Sequence, residues 1–201
     1  MESLEKTYQL KSYFTPNLIE AGVDEVGRGS LAGPVVAAAV ILPKDYYHPK
    51  LTDSKLLHEE EREILKIDIL NNCLDYAIGE IDNQRIDEVN ILYASFLAMH
   101  SALDKLKIRP ELILVDGNKF LPYNFIPYHC EIKGDGKYAS IAAASIIAKC
   151  HRDELMKRLS KKFPHYYWHE NVGYPTKKHR DAIKIHGISP FHRLTYKNVK
   201  E

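Results

Sequence analysis

Residues 19–42 read IEAGVDEVGRGSLAGPVVAAAVIL, and this stretch sets the layout of the chain. Its first part, Ile19 to Val26, predicts a strand that ends at the glycines of Gly27-Arg28-Gly29. After the Gly33-Pro34 break, Val35 to Leu42 predict a second strand that is apolar on both faces. A strand of this kind is typical of the centre of a sheet, because both of its faces need a covering layer.

The rest of the chain alternates helical and strand patterns. The predicted elements are helices at Glu59 to Asn72, Asp87 to Leu106, Tyr138 to about Lys161 and Thr176 to His186, and strands at Leu74 to Ile81, Glu111 to Val115 and Tyr128 to Ile132. The first half of the long third helix is mostly small and apolar, which lets a helix lie close to a sheet. These patterns predict an α/β layer fold with a mixed central β-sheet flanked by helices.

The length and composition are those of one domain. The chain has 201 residues, of which 45% are hydrophobic and 27% charged, and these proportions exclude a disordered chain or a collagen-like repeat. No internal repeat or flexible linker marks a boundary. We therefore expect a single domain over residues 1–201, with a core over about residues 17–160 and a small helical and loop region over about residues 161–201.

The chain also carries signals about its compartment. The longest clean apolar run, Val35 to Leu42, is far shorter than the roughly 18 residues of a membrane span. The first residues are mixed in charge and lack the layout of a secretory signal. We therefore expect a cytoplasmic protein without a membrane partner. Cys73, Cys130 and Cys150 have neither disulfide nor zinc spacing and are predicted to be small core residues.

The charge is divided unevenly along the chain. Residues 1–100 contain 9 basic and 17 acidic residues, whereas residues 101–201 contain 19 basic and 10 acidic ones. This polarity indicates a polyanionic partner on one side and cation-binding carboxylates on the other. The alternative at this point is two solvated faces of opposite sign.

Several carboxylates follow predicted strands. Asp24 and Glu25 stand where a buried strand meets a glycine-rich break, and Asp116 follows the apolar run Leu112 to Val115. Asp135 lies between two glycines ahead of the long helix. For any one of these aspartates a capping or turn role is at least as good an interpretation, and Asp135 could be a helix N-cap. Taken together, they predict an oxygen-rich site for Mg²⁺ or Mn²⁺, because buried charges need an offsetting partner.

The segment Gly27 to Ala32 also fits a loose dinucleotide-binding fingerprint. The match is weak, because a β-branched run and not a helix follows it, so no helix N-terminus is available for a pyrophosphate. Exposed glycine backbone can still approach a sugar or a phosphate closely, and Arg28 can neutralise a phosphate.

The order of several motifs resembles bacterial ribonuclease HII, the type 2 ribonuclease H. These motifs are Asp24 to Gly29, Leu31 to Val35, Asp53 to Lys55, Asn90 to Leu92, Val115 to Asn118, Lys133 to Asp135, Ala142 to Lys149 and Gly173 to Thr176. The resemblance implies the ribonuclease H-like fold and a metal-dependent endonuclease. Such an enzyme hydrolyses the RNA strand of RNA/DNA hybrids and nicks duplex DNA 5′ of embedded ribonucleotides, leaving 3′-hydroxyl and 5′-phosphate ends.

The resemblance also implies roles for individual residues. The catalytic and metal-binding tetrad would be Asp24, Glu25, Asp116 and Asp135, holding two Mg²⁺ or Mn²⁺ ions during catalysis. Gly27, Arg28, Gly29 and Tyr174 would recognise the ribose 2′-hydroxyl, which distinguishes RNA from DNA at one nucleotide. Contacts to substrate phosphates would come from Ser54, Lys55, Asn90, Ser145 and Lys149, and the C-terminal region would contribute to substrate binding. We expect a monomer.

Asp153 is the alternative fourth carboxylate. It has Lys149 and Lys157 four residues away on either side, which favours an ordinary ion-paired surface position. The histidines show no metal spacing and are predicted to face solvent or to make local hydrogen bonds, with His179 as a candidate phosphate contact. Trp168 and the neighbouring tyrosines are predicted to pack the C-terminal region, although they could stack on bases.

Two rival functions remain open from the sequence. One is a non-catalytic module that binds hybrids through its basic half while the carboxylates are structural. The other is a glycoside hydrolase with two catalytic carboxylates, which would need no divalent ion.

Overall fold

The computed structural model describes residues 10–197 and residue 199. Its strands are β1 (Glu20–Val26), β2 (Val35–Ile41), β3 (Asp75–Ile81), β4 (Leu112–Asp116) and β5 (Tyr128–Glu131). Its helices are α1 (Glu59–Asn72), α2 (Asn83–Val89), α3 (Ile91–Asp104), α4 (Ala139–Lys162), α5 (Trp168–Asn171) and α6 (Lys177–His186). Short 3₁₀ turns occupy Ser54–Leu56, Gly134–Gly136 and Pro164–Tyr166. The residues interpreted above as lacking a secretory signal lie outside the described part.

The five strands form one mixed sheet in the order β3-β2-β1-β4-β5. Strands β1, β2 and β3 pair antiparallel, whereas β4 runs parallel to β1 and β5 runs parallel to β4. The parallel register places Val23 of β1 beside Val115 of β4. Asp24 and Asp116 therefore follow side by side at the same end of neighbouring strands.

Both faces of the sheet are covered, which explains the unbroken apolar run of β2. Alternate β2 residues, Ala37 and Ala39 among them, belong to a core shared with α3. Their neighbours Ala38 and Val40 belong to a second core shared with α1 and α4. Because successive strand side chains point to opposite faces, a strand between two helical layers has to be apolar throughout. The mixed sheet and the α/β layer fold predicted from the sequence are confirmed.

The small side chains of α4 allow that helix to lie directly against β1. A Cβ atom placed on Gly22 would stand 2.2 Å from the carbonyl carbon of Ser140, closer than real Cβ contacts come. Glycine in β1 and small residues at the start of α4 therefore set the distance between the sheet and this helix. That distance in turn places Ser145, further along α4, near the end of β1.

One predicted element is wrong. The amphipathic pattern from Asp87 to Leu106 belongs to two helices, α2 and α3, that are separated at Asn90. Asn90 has a positive φ of 66°, and its side chain accepts hydrogen bonds from the backbone N–H groups of Leu92 and Tyr93. The side chain thus caps α3, so a new helix begins after Asn90 although the apolar spacing continues across the break. The bounds of the other predicted elements agree with the structure within one residue.

The region after α4 packs on the sheet domain through its own apolar cluster. Trp168 and Tyr166 are buried in this cluster together with Met156 of α4 and Ala32. Ala32 belongs to the stretch from Gly27 to Pro34, which we term the glycine-rich segment. The predicted packing role of Trp168 is confirmed, whereas Tyr167 is exposed. Among the cysteines, Cys150 is buried and the other two are only partly buried at the edges of the core clusters. No helix in the described part combines the length and the apolar character needed to cross a bilayer.

Candidate active site

Three aspartates from separate parts of the chain converge at one end of the sheet. Asp24 lies near the end of β1, Asp116 is the last residue of β4, and Asp135 lies in the 3₁₀ turn before α4. Each offers one carboxylate oxygen, and these three oxygens lie within 4.8 Å of one another. The donors are all hard oxygens of carboxylates, so the set fits a Mg²⁺ or Mn²⁺ ion by its chemistry.

Asp24 is the most buried carboxylate at the end of β1. It is 5% exposed, and its Oδ1 accepts a hydrogen bond of 2.7 Å from the backbone N–H of Glu25. Burial raises the pKa of Asp24 well above its usual value, and the charges of Glu25, Asp116 and Asp135 raise it further. The Ser145 hydroxyl offsets only part of this effect. The arrangement of side chains alone therefore disfavours the ionised form, as expected at a cation site.

The turn that presents Asp135 also fixes Asp116. The backbone N–H of Gly134 donates a hydrogen bond of 2.8 Å to Oδ1 of Asp116, and Asp135 follows at once with 2% exposure. Burial raises the pKa of Asp135, the Asp116 charge adds to the rise, and a hydrogen bond from Lys55 opposes it. The N-cap interpretation of Asp135 is wrong, because the N-cap position of α4 belongs to Tyr138.

Glu25 lies beside the three aspartates but is not one of the converging set. Its Oε1 accepts a hydrogen bond of 3.0 Å from Nη1 of Arg28. Burial raises the pKa of Glu25, the Arg28 charge lowers it, and the Asp116 charge raises it. Glu25 lines two cavities, one of which borders Asp24 and the other Asp116.

The first of these, which we term the lysine cavity, has a volume of about 400 Å³. It contains five of the nine predicted substrate-binding residues, namely Ser54, Lys55, Ser145, Lys149 and Tyr174, next to Asp24 and Glu25. The second, the α3 cavity, measures about 310 Å³ and borders Arg28, Asp116 and the start of α3. Gly27, Gly29 and Asn90 border neither cavity, although a Cβ on Gly29 would stand 3.7 Å from the Tyr174 ring.

Asp153 organises the basic side of the lysine cavity. Its two carboxylate oxygens lie 2.8 Å from Nζ of Lys149 and 3.8 Å from Nη2 of Arg62. The predicted surface position is wrong, since Asp153 is buried, and Lys157 bonds instead to Glu59. Asp153 therefore does not join the three aspartates but holds two cations that face the cavity. Sequence reasoning missed Arg62, because its setting in the glutamate-rich start of α1 is that of a solvated helix face.

Two fully buried arginines hold the glycine-rich segment, and sequence reasoning missed both. Arg152 of α4 donates to the carbonyl oxygens of Pro34, Ala32 and Val172 at 2.9, 3.1 and 2.8 Å. Burial, together with the charge of nearby Arg193, lowers the pKa of Arg152 to about 10.

Arg193 completes the support of this segment. Its guanidinium donates to the carbonyl oxygens of Gly33 and Arg28, each at about 3.0 Å. On the other side, a Cβ on Gly27 would stand 2.2 Å from Nε of Arg152, so only glycine fits between the segment and the buried guanidinium. No local pattern in the sequence indicates the contacts of these arginines to the glycine-rich segment, because each of them joins residues more than 100 positions apart.

The histidine predictions are partly wrong. His179 and His192 are buried, with 0% and 1% exposure, and His179 bonds to Trp168 and to the Tyr174 carbonyl group. A buried ring of this kind has no surface to offer a phosphate. The two histidines instead contact each other and the backbone of Tyr174, and neither lines the lysine cavity.

Comparison with known proteins gives a consistent result. The family model described as Ribonuclease HII matches residues 21–199. The ribonuclease HII of Bacteroides thetaiotaomicron is 56% identical over 187 residues, which cover 93% of this chain and 94% of that protein. The crystal structure of ribonuclease H2 from Pyrococcus horikoshii OT3 is similar with a TM-score of 0.77 and 28% identity, covering 90% of this chain and 94% of that one.

A more distant structure, Bst-RNase HIII in complex with Mn²⁺, shares the fold. Its TM-score is 0.73 at 24% identity, with coverage of 100% of this chain and 72% of that one. The sheet order, the converging aspartates and the sequence match agree with one another. The chain therefore belongs to the ribonuclease HII family and is a ribonuclease H, a hydrolase that acts on RNA/DNA hybrids.

Proposed function

We propose that Asp24, Glu25, Asp116 and Asp135 bind Mg²⁺ or Mn²⁺, two ions during catalysis, and that this centre also nicks duplex DNA 5′ of embedded ribonucleotides. The products would be 3′-hydroxyl and 5′-phosphate ends. The observation that carries the proposal is the convergence of three carboxylates within 4.8 Å, two of them with raised pKa values caused first by burial. Buried carboxylates in this number need cations to offset their charge.

The chain's own groups would bind and orient the reacting parts. When bound, divalent ions supply an activated water and stabilise the charge on the leaving oxygen. Asp24, Asp116 and Asp135 would provide three of the carboxylate ligands and Glu25 the fourth, and Gly134 holds Asp116 in place through its N–H group. Glu25 adjoins this set and is held by Arg28, so the same arginine lies beside both the acidic centre and the α3 cavity.

Substrate phosphates would bind in the lysine cavity. Lys55 and Lys149 supply positive charge there, while the buried Ser54 and Ser145 hydroxyl groups lie 2.9 Å apart and offer further hydrogen bonds. Such contacts position a nucleic acid without reading its sequence. Asn90 remains a proposed phosphate contact in addition to its role as the cap of α3.

Recognition of the ribonucleotide would take place between the glycine-rich segment and Tyr174. Gly29 faces the Tyr174 ring, Gly27 lies directly against the Arg152 guanidinium, and Arg193 donates to the Arg28 carbonyl group. A rigid backbone without side chains can approach the ribose closely, and its N–H and C=O groups can bond the 2′-hydroxyl. The tyrosine would pack beside the same sugar.

We further propose that residues 1–201 work as one domain and as a monomer, in the cytoplasm, where the nucleic-acid substrate is found. The third apolar cluster supports the single domain, because it joins α4 of the sheet domain to the region after Pro164. A core over about residues 17–160 would then carry the acidic centre, and the later region would bring Tyr174 to it.

The test is a nicking assay on a DNA duplex with one embedded ribonucleotide, with all-DNA and multi-ribonucleotide duplexes as controls. We expect a single cut 5′ of the ribonucleotide with Mg²⁺ or Mn²⁺ present, no cut in all-DNA, and no activity with EDTA. Intact strands at high enzyme concentration with bound hybrid would favour the non-catalytic module. Activity that survives chelation would exclude the metal mechanism.

A further inference from the structure

A chain of hydrogen bonds lies behind Tyr174 and involves buried polar groups that the proposed chemistry does not use. The backbone N–H of Ser189 lies 2.9 Å from Nδ1 of His192. The Nε2 atoms of His192 and His179 are 3.1 Å apart, and Nε1 of Trp168 is 3.0 Å from the same His179 atom. The chain ends where Nδ1 of His179 lies 3.0 Å from the carbonyl oxygen of Tyr174.

The partners fix the proton on each ring. The Ser189 N–H can only donate, so Nδ1 of His192 accepts and the single proton of the neutral ring is on Nε2. The Trp168 indole N–H also can only donate, so Nε2 of His179 accepts. His179 therefore carries its proton on Nδ1 and donates it to the Tyr174 carbonyl. Each ring has one allowed tautomer, and the His192 N–H donates to His179 in the same direction.

The contacts disfavour an additional proton in this chain. A proton on Nδ1 of His192 would face the Ser189 N–H and would have only the Ser189 hydroxyl, 2.9 Å away, as an acceptor. A proton on Nε2 of His179 would face two donors. Burial lowers the pKa of both rings, and the nearby His179 adds to the effect on His192, whose pKa falls to about 4. The pair is therefore neutral at physiological pH.

The chain of bonds ends on the segment that presents Tyr174 to the active site. The Tyr174 carbonyl accepts from His179 and also from the Thr176 N–H at 2.8 Å, while the Tyr174 N–H donates to the Asn171 carbonyl. The ring of Tyr174 lines the lysine cavity, and the Arg152 guanidinium carbon lies 5.8 Å from its centroid. A shift of the Tyr174 backbone would move this ring relative to Gly29.

We propose that His179 and His192 are positioning residues, a neutral pair with fixed tautomers that holds Tyr174 in place for recognition of the ribose. The inference rests on the proposed function of Tyr174. Both histidines are buried and neither lines the lysine cavity, so their effect would act through the backbone of Tyr174. Because the bond to the carbonyl comes from Nδ1 only, the two nitrogens of His179 have separable roles.

Two substitutions of His179 separate these roles. The amide nitrogen of His179→Asn falls near the position of Nδ1 and can donate to the Tyr174 carbonyl, but its side chain does not reach Trp168. The amide of His179→Gln falls near Nε2, so it keeps the Trp168 and His192 contacts and loses the Tyr174 bond. Both variants replace a buried ring by an amide, so each controls for the packing loss of the other.

The readout is the split between KM and kcat on a single-ribonucleotide duplex and on a long hybrid, corrected for the folded fraction. We expect His179→Gln to raise KM for the single-ribonucleotide duplex about tenfold, because the variant loses the hydrogen bond that positions Tyr174. Its kcat should change little, and its KM for the long hybrid should rise less. His179→Asn should remain within about threefold of the native protein. Equal losses in the two variants would contradict the positioning role.

Tyr174→Ala distinguishes the two proposals. If its ribonucleotide preference falls and that of His179→Gln does not, the histidine pair is not a positioning device. If Tyr174→Ala keeps its preference, the proposed role of Tyr174 itself is wrong.

A second measurement needs no variant. Two-bond ¹H–¹⁵N spectra of the native protein with labelled histidine, at pH 7, should show a proton on Nδ1 of His179 and on Nε2 of His192. A charged ring or the opposite tautomer at either position would overturn the inference, whatever the kinetics of the variants.

Discussion

The Nζ atom of Lys55 lies 3.1 Å from Oδ2 of Asp135, so an ammonium group of the protein reaches one of the three converging carboxylates. The Lys55 side chain is 73% exposed, whereas that of Asp135 is 3% exposed. Burial works against the lysine charge, but the hydrogen bond and the charge of Asp135 raise the pKa of Lys55. Lys55 therefore offers a positive charge at the place where the proposed cations and substrate phosphates meet.

Lys55→Gln should bind Mn²⁺ more tightly than the native protein, because a positive charge that repels the cation is removed. We expect a modest effect, about threefold in Kd, since the lysine is exposed and screened by solvent. Calorimetric titration with Mn²⁺ at fixed ionic strength measures it. Lys149→Gln is the matched control, because Lys149 pairs with Asp153 and not with the three aspartates. Unchanged or weaker Mn²⁺ binding in Lys55→Gln would contradict this interpretation of the contact.

Asp116→Asn should abolish cleavage while the folded structure and hybrid binding persist. The asparagine carbonyl can still accept the Gly134 N–H bond that Oδ1 of Asp116 accepts now, so the turn keeps its geometry. The variant loses one anionic ligand, and we expect kcat to fall by at least about a hundredfold. Asp104→Asn, an exposed position whose Oδ1 accepts a hydrogen bond from Tyr123, serves as the control. Near-normal turnover with an intact circular dichroism spectrum would remove Asp116 from the mechanism.

Part of the acidic site could be predicted from the sequence because Asp24 and Asp116 follow apolar runs. These runs predicted carboxylates at strand ends, and the structure places the two residues at neighbouring strand ends. The small residues of α4 likewise predicted a helix close to the sheet, which Gly22 and Ser140 confirm. In both cases the apolar or small residues in the sequence and the contact in the structure have the same cause, because a strand buried between helices requires such residues.

Other parts depend on contacts that no local pattern encodes. The break at Asn90 keeps the apolar spacing of one helix, so the positive φ at that residue leaves no trace in the hydrophobic pattern. Arg152 and Arg193 look like surface cations in sequence, yet both donate to backbone carbonyl groups of the glycine-rich segment. When a buried polar side chain forms its hydrogen bonds with backbone groups far away in sequence, the sequence alone cannot distinguish it from a solvated side chain.

Gly22→Ala should destabilise the protein, because the added methyl group would meet backbone atoms of Ser140 that cannot move aside without shifting α4. Overpacking of a rigid contact typically costs about 1–3 kcal/mol, and we expect the upper part of that range. Urea denaturation measures the free energy of unfolding. Gly136→Ala is the control for the loss of a glycine, since a Cβ there has nothing within 4 Å, and it should stay within about 0.5 kcal/mol. Equal stability of the two variants would show that α4 does not lie against β1 at this distance.

Acid should weaken the fold through His192. Burial, and the repulsion between the His179 and His192 rings if both were protonated, lower the pKa of His192 in the folded protein to about 4, below the value of about 6.5 in an unfolded chain. Between these two values the unfolded chain binds more protons, so the free energy of unfolding falls as the pH falls. The contribution of His192 to the free energy of unfolding is complete above about pH 6.5, and about 3 kcal/mol of it is lost by pH 4.

Asp24 and Glu25 have raised pKa values and change the free energy of unfolding in the opposite direction. The informative quantity is therefore the difference in the free energy of unfolding between the native protein and His192→Gln, measured by urea denaturation at each pH. That difference should shrink steadily as the pH falls from 6.5 to 4, and a constant difference across this range would show that His192 is not a buried neutral ring.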